Sequence, residues 1–218
     1  MGTSDSEDAK VADRLLQQAA DGDRAAWGAL LERHRGRLRR MVDFHLDRRL
    51  KGRIDPSDVI QEAYLEASTR LPEYLQGQGL PFFLWLRLLT RQRLAQLHRF
   101  HLKAQVRDAG REISLYQGAL PNATSAALAA QLLGRLTRPS EAAVRAEMKV
   151  RLQEALNALD PTDREVLALR HFERLSTSET ATVLAIGEEA TKKRHIRAVR
   201  RLKEVLSSMP GGAGDVWP

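Results

Sequence analysis

The sequence predicts an all-α protein of two small helical domains joined by a flexible linker, and three observations carry that expectation. Apolar residues recur at helical spacing along most of the 218 residues, with no sustained strand-type alternation. The helix start Asp-Pro-x-Asp occurs twice, at Asp55 to Asp58 and at Asp160 to Asp163. From Gln105 to Ser140 the texture turns to Ala, Gly, Ser and Thr with Pro121 and Pro139 and only weak periodicity around Leu128 to Leu136, which reads as an interdomain linker. A hydrophobic fraction of 43% supplies enough apolar surface for a buried core.

Residues 1–10 are polar and acidic and are expected to form a disordered lead-in, with the fold starting at Val11. Val11, Leu15, Leu16 and Ala19 then take helical spacing. Trp27, Leu30, Leu31, Leu38, Met41, Val42, Leu46 and Leu50 continue the rhythm, with Arg33, Arg35, Arg37, Arg39 and Arg40 between them, giving a basic amphipathic helix. Asp55 is placed to cap the next helix, Pro56 takes its first position, Asp58 faces the helix dipole, and the element should reach about Arg70. The polar run Gln76-Gly77-Gln78-Gly79-Leu80-Pro81 breaks the pattern before Phe82-Phe83-Leu84-Trp85-Leu86 opens a helix to about Lys103. The first domain is thus 11–103 and the linker 104–141. Val144, Met148, Leu152, Leu156 and Leu159 restart the rhythm in a second domain, 142–208, where Asp160 opens a helix carrying Val166, Leu167 and Leu169. Met209-Pro210-Gly211-Gly212 should end order near Ser208, leaving 209–218 as a disordered tail.

Charge and composition exclude several classes. Thirty-five Lys and Arg against 28 Asp and Glu give a formal +7, which favours a polyanionic partner such as nucleic acid or an anionic membrane surface. The absence of Cys excludes disulfide scaffolds, thiolate zinc sites, iron-sulfur clusters and cysteine nucleophiles. Met1 to Asp8 lacks the basic and apolar runs of an export signal. The most apolar stretch, Leu80 to Leu89, contains Arg87 and falls short of the roughly 20 residues of a membrane span. A cytoplasmic protein without membrane insertion is expected. His98 and His101 lie three apart on a basic helix with no acid or Cys nearby, so they are read as structural and no metal is expected. The Asp55/Asp58 and Asp160/Asp163 pairs are explained by helix capping. With no phosphate loop, Gly-x-Ser-x-Gly or Ser/His/Asp order, neither an enzyme nor a cofactor is expected.

The most informative segment is Leu175 to Leu206. Ser176-Thr177-Ser178-Glu179 is a capping box opening a short helix through Ala181, Val183 and Leu184. Ala185-Ile186-Gly187 makes a turn, with Gly187 as cap of a longer helix from Glu188, and the whole reads as a helix-turn-helix. Thr191, His195, Ala198, Leu202 and Val205 share one face and should pack inward. Glu189, Lys192, Lys193, Ile196, Arg197 and Arg200 line the opposite face, where a recognition helix meets DNA. Residues 188–203 hold seven positive charges against Glu188 and Glu189, which suits a phosphate backbone. A second basic region has no Asp or Glu between Tyr74 and Arg107 and sets Arg87, Arg91, Arg93 and Arg99 near Phe82, Phe83 and Trp85. That mix suits phosphates and unstacked bases, and equally an aromatic core under a solvated basic face.

Asp58-Val59-Ile60-Gln61-Glu62-Ala63-Tyr64-Leu65 resembles the Asp-Leu-Val-Gln-Glu-Thr-Phe-Leu signature of extracytoplasmic-function (ECF) sigma factors of the sigma-70 superfamily. Phe82 to Arg99 is similar to the promoter-melting part of their sigma region 2, and Ser176 to Leu206 to their sigma region 4. The resemblance covers most of 11–103 and 142–206 in the family's order. It implies an RNA polymerase sigma factor that binds core RNA polymerase and directs promoter recognition and transcription initiation, with 11–103 as region 2 and 142–208 as region 4. By that resemblance Asp58, Gln61, Glu62 and Leu65 would dock on the clamp helices of the core enzyme, the first three through the family's motif and Leu65 as their apolar neighbour. Gln76, in a loop that would capture an unstacked base, would serve the promoter −10 element with Trp85, Arg87, Arg91, Gln92 and Arg99. Glu189, Lys192, Lys193, Ile196, Arg197 and Arg200 would read the −35 element. Partners implied are core RNA polymerase, promoter DNA and an anti-sigma factor. Gln92 departs from the Asn of many members, and Thr191 and His195 stand where apolar residues are usual. The alternative is a free-standing helix-turn-helix transcriptional regulator using 11–103 for dimerisation or sensing. An RNA-binding or scaffold protein with sequence-independent contacts is a third reading. Neither rival needs the segment from Asp58 to Leu65.

Overall fold

A computed structural model of the chain describes residues 3–47, 49–50, 52–77, 79–103, 125–136 and 142–207, which form helices and turns without a β-strand among them. The chain divides into two compact units, Met1–Leu120 and Pro121–Pro218.

The first unit contains α1 (Thr3–Ala20), α2 (Arg24–His45), α3 (Pro56–Gln76) and α4 (Phe82–Lys103). Helix α1 begins at Thr3, inside the lead-in expected to be disordered. The segment is acidic, and negative charge in a first turn is favourable toward the positive end of the helix dipole. Asp23 caps α2, its Oδ1 accepting the amides of Ala25 and Ala26 at 2.8 and 3.1 Å. The apolar rhythm runs on to Leu50, yet α2 stops at His45: Leu46 turns extended, and the Asp47 carboxylate accepts the Arg49 amide at 2.9 Å. Leu46 and Leu50 remain buried, so periodicity outlasts the helix.

Helix α3 starts as expected, with the Asp55 carboxylate accepting the Ser57 amide at 2.7 Å. It continues past Arg70 and through Pro72 to Gln76. An interior proline costs about 3 kcal/mol. The extension sets Tyr74 against Phe82 and Trp85 and lets its hydroxyl donate to the Leu80 carbonyl at 3.0 Å, burial that offsets the lost bond. Around this point the unit closes on an aromatic cluster. Trp27 meets Phe82 edge-on at 5.8 Å and donates through Nε1 to Ser68 Oγ at 2.8 Å, while Arg37 lies over the Phe83 ring at 3.6 Å.

The second unit contains α5 (Ser125–Leu136), α6 (Ala142–Asn157), α7 (Pro161–Leu167), a π-helical turn (Ala168–Phe172), α8 (Thr177–Leu184) and α9 (Glu188–Ser207). Helix α5 lies inside the stretch expected to be linker. Leu128, Ala129, Leu132 and Leu133 are buried at spacings of one, three and one, a narrow apolar stripe that the surrounding small residues blur in the sequence. It packs on α6, and Arg164 of α7 donates to Ser125 Oγ at 3.1 Å. The remaining linker positions, 104–124 and 137–141, and the tail 209–218 lie outside the described residues. Among the described residues no helix is long and apolar enough to cross a membrane.

Candidate nucleic-acid interface

The helix-turn-helix is built by local capping. Ser176 Oγ accepts the Glu179 amide at 3.1 Å, and the Glu179 carboxylate accepts the Ser176 amide at 2.7 Å, so two orphan donors of α8 are satisfied reciprocally. Ala185 ends α8 in the left-handed region (φ 53°, ψ 41°), and the Ile186 amide then closes on the Ala181 carbonyl at 3.1 Å. A left-handed conformation in a residue with a Cβ costs about 1 kcal/mol, the strain that turns the chain into α9. The Gly187 carbonyl starts α9 by accepting both the amide and the hydroxyl of Thr191, at 2.9 and 3.1 Å.

Helix α9 is two-faced. Thr191, Ala198 and Leu202 are buried, and His195 is half-buried beside them; Val205 lies in the helix, with its side chain outside what is described. The π-helical turn opposite, marked by the Glu173 amide bonding back to Ala168, holds His171 against His195. Their Nε2 atoms are 2.8 Å apart and the rings stack at 5.0 Å, so one imidazole donates and the other accepts. Burial, with the Arg170 charge adding to it, holds His195 below the usual histidine pKa and so favours the neutral ring this pairing needs.

Glu189, Lys192, Lys193, Ile196, Arg197 and Arg200 are all exposed on the outer face, which is the side that sequence assigns to DNA. Ile196 stands 57% exposed amid the cations, an apolar group available to a thymine methyl. Lys192 is paired with Glu189 at 2.6 Å, a surface bridge that a phosphate can displace. Arg197 is engaged from behind: its Nε and Nη2 donate to the two oxygens of Asp163 at 2.7 Å each. Asp163 was explained in the sequence by capping alone. Its contact with α9 spans 34 residues of chain, and no local pattern announces it.

In the first unit Asp58, Gln61 and Leu65 are exposed along one side of α3 while Val59, Ile60 and Ala63 are buried on the other. Leu65 is 70% exposed. Glu62, next to this row, is ion-paired with Arg93 of α4. The α3 residues drawn together by sequence therefore do form one surface.

The expected −10 group does not come together in this way. Gln76, Gln92 and Arg99 are exposed, and Arg91 is half-buried. Trp85 and Arg87 are buried, at 8% and 4% exposure, and are not available to a DNA strand. Trp85 stacks on Tyr74 at 4.4 Å and tilts against Phe82 at 5.7 Å, because the start of α4 packs against α3 and α2. Of the two readings of this aromatic and basic mixture, the core cluster holds for Phe82, Phe83 and Trp85. Phe100, 77% exposed beside Arg99 and edge-on to His101 at 5.1 Å, is the aromatic residue that the sequence reading passed over. Its place one residue beyond Arg99 on a helix without acidic groups was the available signal.

A basic helix-turn-helix on a small helical unit, preceded by a separate helical unit, suits a DNA-binding transcription factor. The family described as Sigma-70, region 4 matches residues 155–204. ECF RNA polymerase sigma factor SigD of Mycobacterium tuberculosis is 29% identical over 203 residues, which cover 93% of this chain and 85% of that protein. ECF RNA polymerase sigma factor BldN of Streptomyces coelicolor is 27% identical over 203 residues, covering 93% of this chain and 68% of its own. Among solved structures, CnrH in complex with the cytosolic domain of CnrY is similar over 91% of this chain and 99% of its own, with a TM-score of 0.51 and 25% identity. The chain carries a sigma-70 region 4, and its similarity to extracytoplasmic-function RNA polymerase sigma factors extends over most of its length. A free-standing regulator is not favoured, since the similarity extends well beyond the helix-turn-helix into the first unit.

Proposed function

We propose that this sigma factor docks on core RNA polymerase through the α3 row of Asp58, Gln61 and Leu65, with Glu62 at its edge, and meets the −35 element with the outer face of α9. The observation that carries the docking assignment is Leu65, a large apolar side chain 70% exposed between polar groups on a helix whose opposite side is buried. In this reading residues 11–103 act as region 2 and 142–208 as region 4. The −10 strand is held by the exposed groups Gln76, Gln92 and Arg99, with Arg91 at the margin, and not by Trp85 or Arg87. Binding the separated strand better than the duplex shifts the equilibrium toward the open complex, so the chain promotes initiation without covalent chemistry of its own. Its place of work is the cytoplasm, where polymerase and promoter are. CnrH is seen bound to the cytosolic domain of CnrY, which supports an anti-sigma partner for this chain too.

Run-off transcription tests the assignment. Core RNA polymerase supplied with this chain is expected to yield a discrete transcript from a promoter recovered by the reconstituted holoenzyme from a randomised library. Equal transcription by core enzyme alone would overturn it.

A further inference from the structure

We propose that Asp163 is a positioning residue for DNA recognition, fixing the Arg197 guanidinium on the outer face of α9 so that its remaining donors meet DNA already oriented. The inference rests on the reading of that face as the −35 interface. Asp163 sits at the third position of α7, but the cap of that helix is supplied by Asp160, whose carboxylate accepts the Thr162 amide at 2.8 Å. Asp163 is turned toward α9 instead. With its side chain only 3% exposed, its two oxygens receive Arg197 Nε and Nη2 at 2.7 Å each and Arg194 Nη1 at 3.0 Å. An enclosed carboxylate is tolerated only when paired and hydrogen-bonded in this way.

The geometry of the pair decides what Arg197 can still do. A side-on contact uses the Nε hydrogen and one hydrogen of Nη2. It leaves the end-on edge of the guanidinium, one hydrogen from each Nη, pointing away from Asp163 on a side chain 60% exposed. That edge matches two adjacent acceptors, either the non-bridging oxygens of a phosphate or O6 and N7 of a guanine. Arg194 also reaches Asp160 at 3.3 Å, so the two carboxylates share two guanidiniums and Arg197 is not neutralised alone. An unrestrained arginine loses rotamer freedom when it binds; Arg197 has lost it on folding. The effect of Asp163 on DNA binding should therefore pass through Arg197.

The test is a double-mutant cycle on the full-length chain, read by fluorescence anisotropy. The probes are the tightest duplex that the wild-type chain selects from a randomised library and the unselected pool. Asp163→Asn is expected to weaken the selected duplex about tenfold, the scale of one well-oriented bidentate contact. Pool binding, which reports charge alone, should stay within about twofold. In the Arg197→Ala background Asp163→Asn should add nothing. Equal weakening in both backgrounds would show a merely structural role and overturn the proposal, as would no weakening in the wild-type background. If Arg197→Ala leaves the selected duplex unaffected, the proposal fails by itself. If replacing Lys192, Lys193 and Arg200 is also without effect, the −35 reading fails with it. Thermal melts confirm that each variant is folded; should Asp163→Asn melt below assay temperature, Asp163→Glu, which keeps the charge and shifts the carboxylate by one methylene, runs the same cycle.

Discussion

Replacing Lys192, Lys193 and Arg200 together by alanine is expected to lower affinity for −35 duplex DNA by about a hundredfold at moderate salt, through loss of phosphate contacts and their released counterions. All three side chains are exposed on the outer face of α9, away from Thr191, Ala198 and Leu202, so their removal leaves the packing of the helix in place. The mechanism has its own signature. The slope of log affinity against log salt should fall by roughly three, one for each cation removed. A lower affinity with an unchanged slope would place these groups outside the phosphate contacts, and an altered thermal melt would point to the fold.

Trp85→Ala is expected to destabilise the first unit by about 3–5 kcal/mol, the usual cost of emptying a large aromatic site in a core. The indole is 8% exposed, stacked on Tyr74 at 4.4 Å and tilted on Phe82 at 5.7 Å, so α3 and α4 lose a shared contact. A loss of that size is a large part of the stability of a small domain, about 5–15 kcal/mol in total. Denaturant titration of the full chain should show an early transition. Polymerase binding and strand opening should then fail together. A variant with an unchanged melt and a defect confined to permanganate reactivity at the −10 element would return Trp85 to the DNA surface.

What the sequence made legible was local. Both Asp-Pro-x-Asp starts, the capping box at Ser176 and Glu179, the turn at Ala185 and the two faces of α9 all follow from residues within a few positions of one another, and each forms as expected. What escaped depends on contacts distant in the chain. Trp85 and Arg87 look like DNA-binding groups when their neighbours are counted along the chain, and prove internal once α2 and α3 close around α4. Helix α5 shows in the sequence only as a weak periodicity around Leu128 to Leu136 among small residues, and its packing on α6 makes it an element of the second unit. Helix α3 outruns Arg70 because Tyr74 has an aromatic pocket to fill, which no propensity scale contains. The Asp163 clamp joins α7 to α9 by the same kind of distant pairing.

On the docking proposed above, the α3 row is what makes this chain a polymerase subunit. The measurement that decides it is gel filtration of the purified chain with bacterial core RNA polymerase, with Asp58→Ala/Gln61→Ala/Leu65→Ala as the comparison. These side chains are exposed, and Glu62 with its Arg93 pair is left intact, so the variant should melt as the wild type does. Wild-type protein should co-elute with the core enzyme and the variant should elute alone. Co-elution of both, or of neither, would rule out docking through the α3 row.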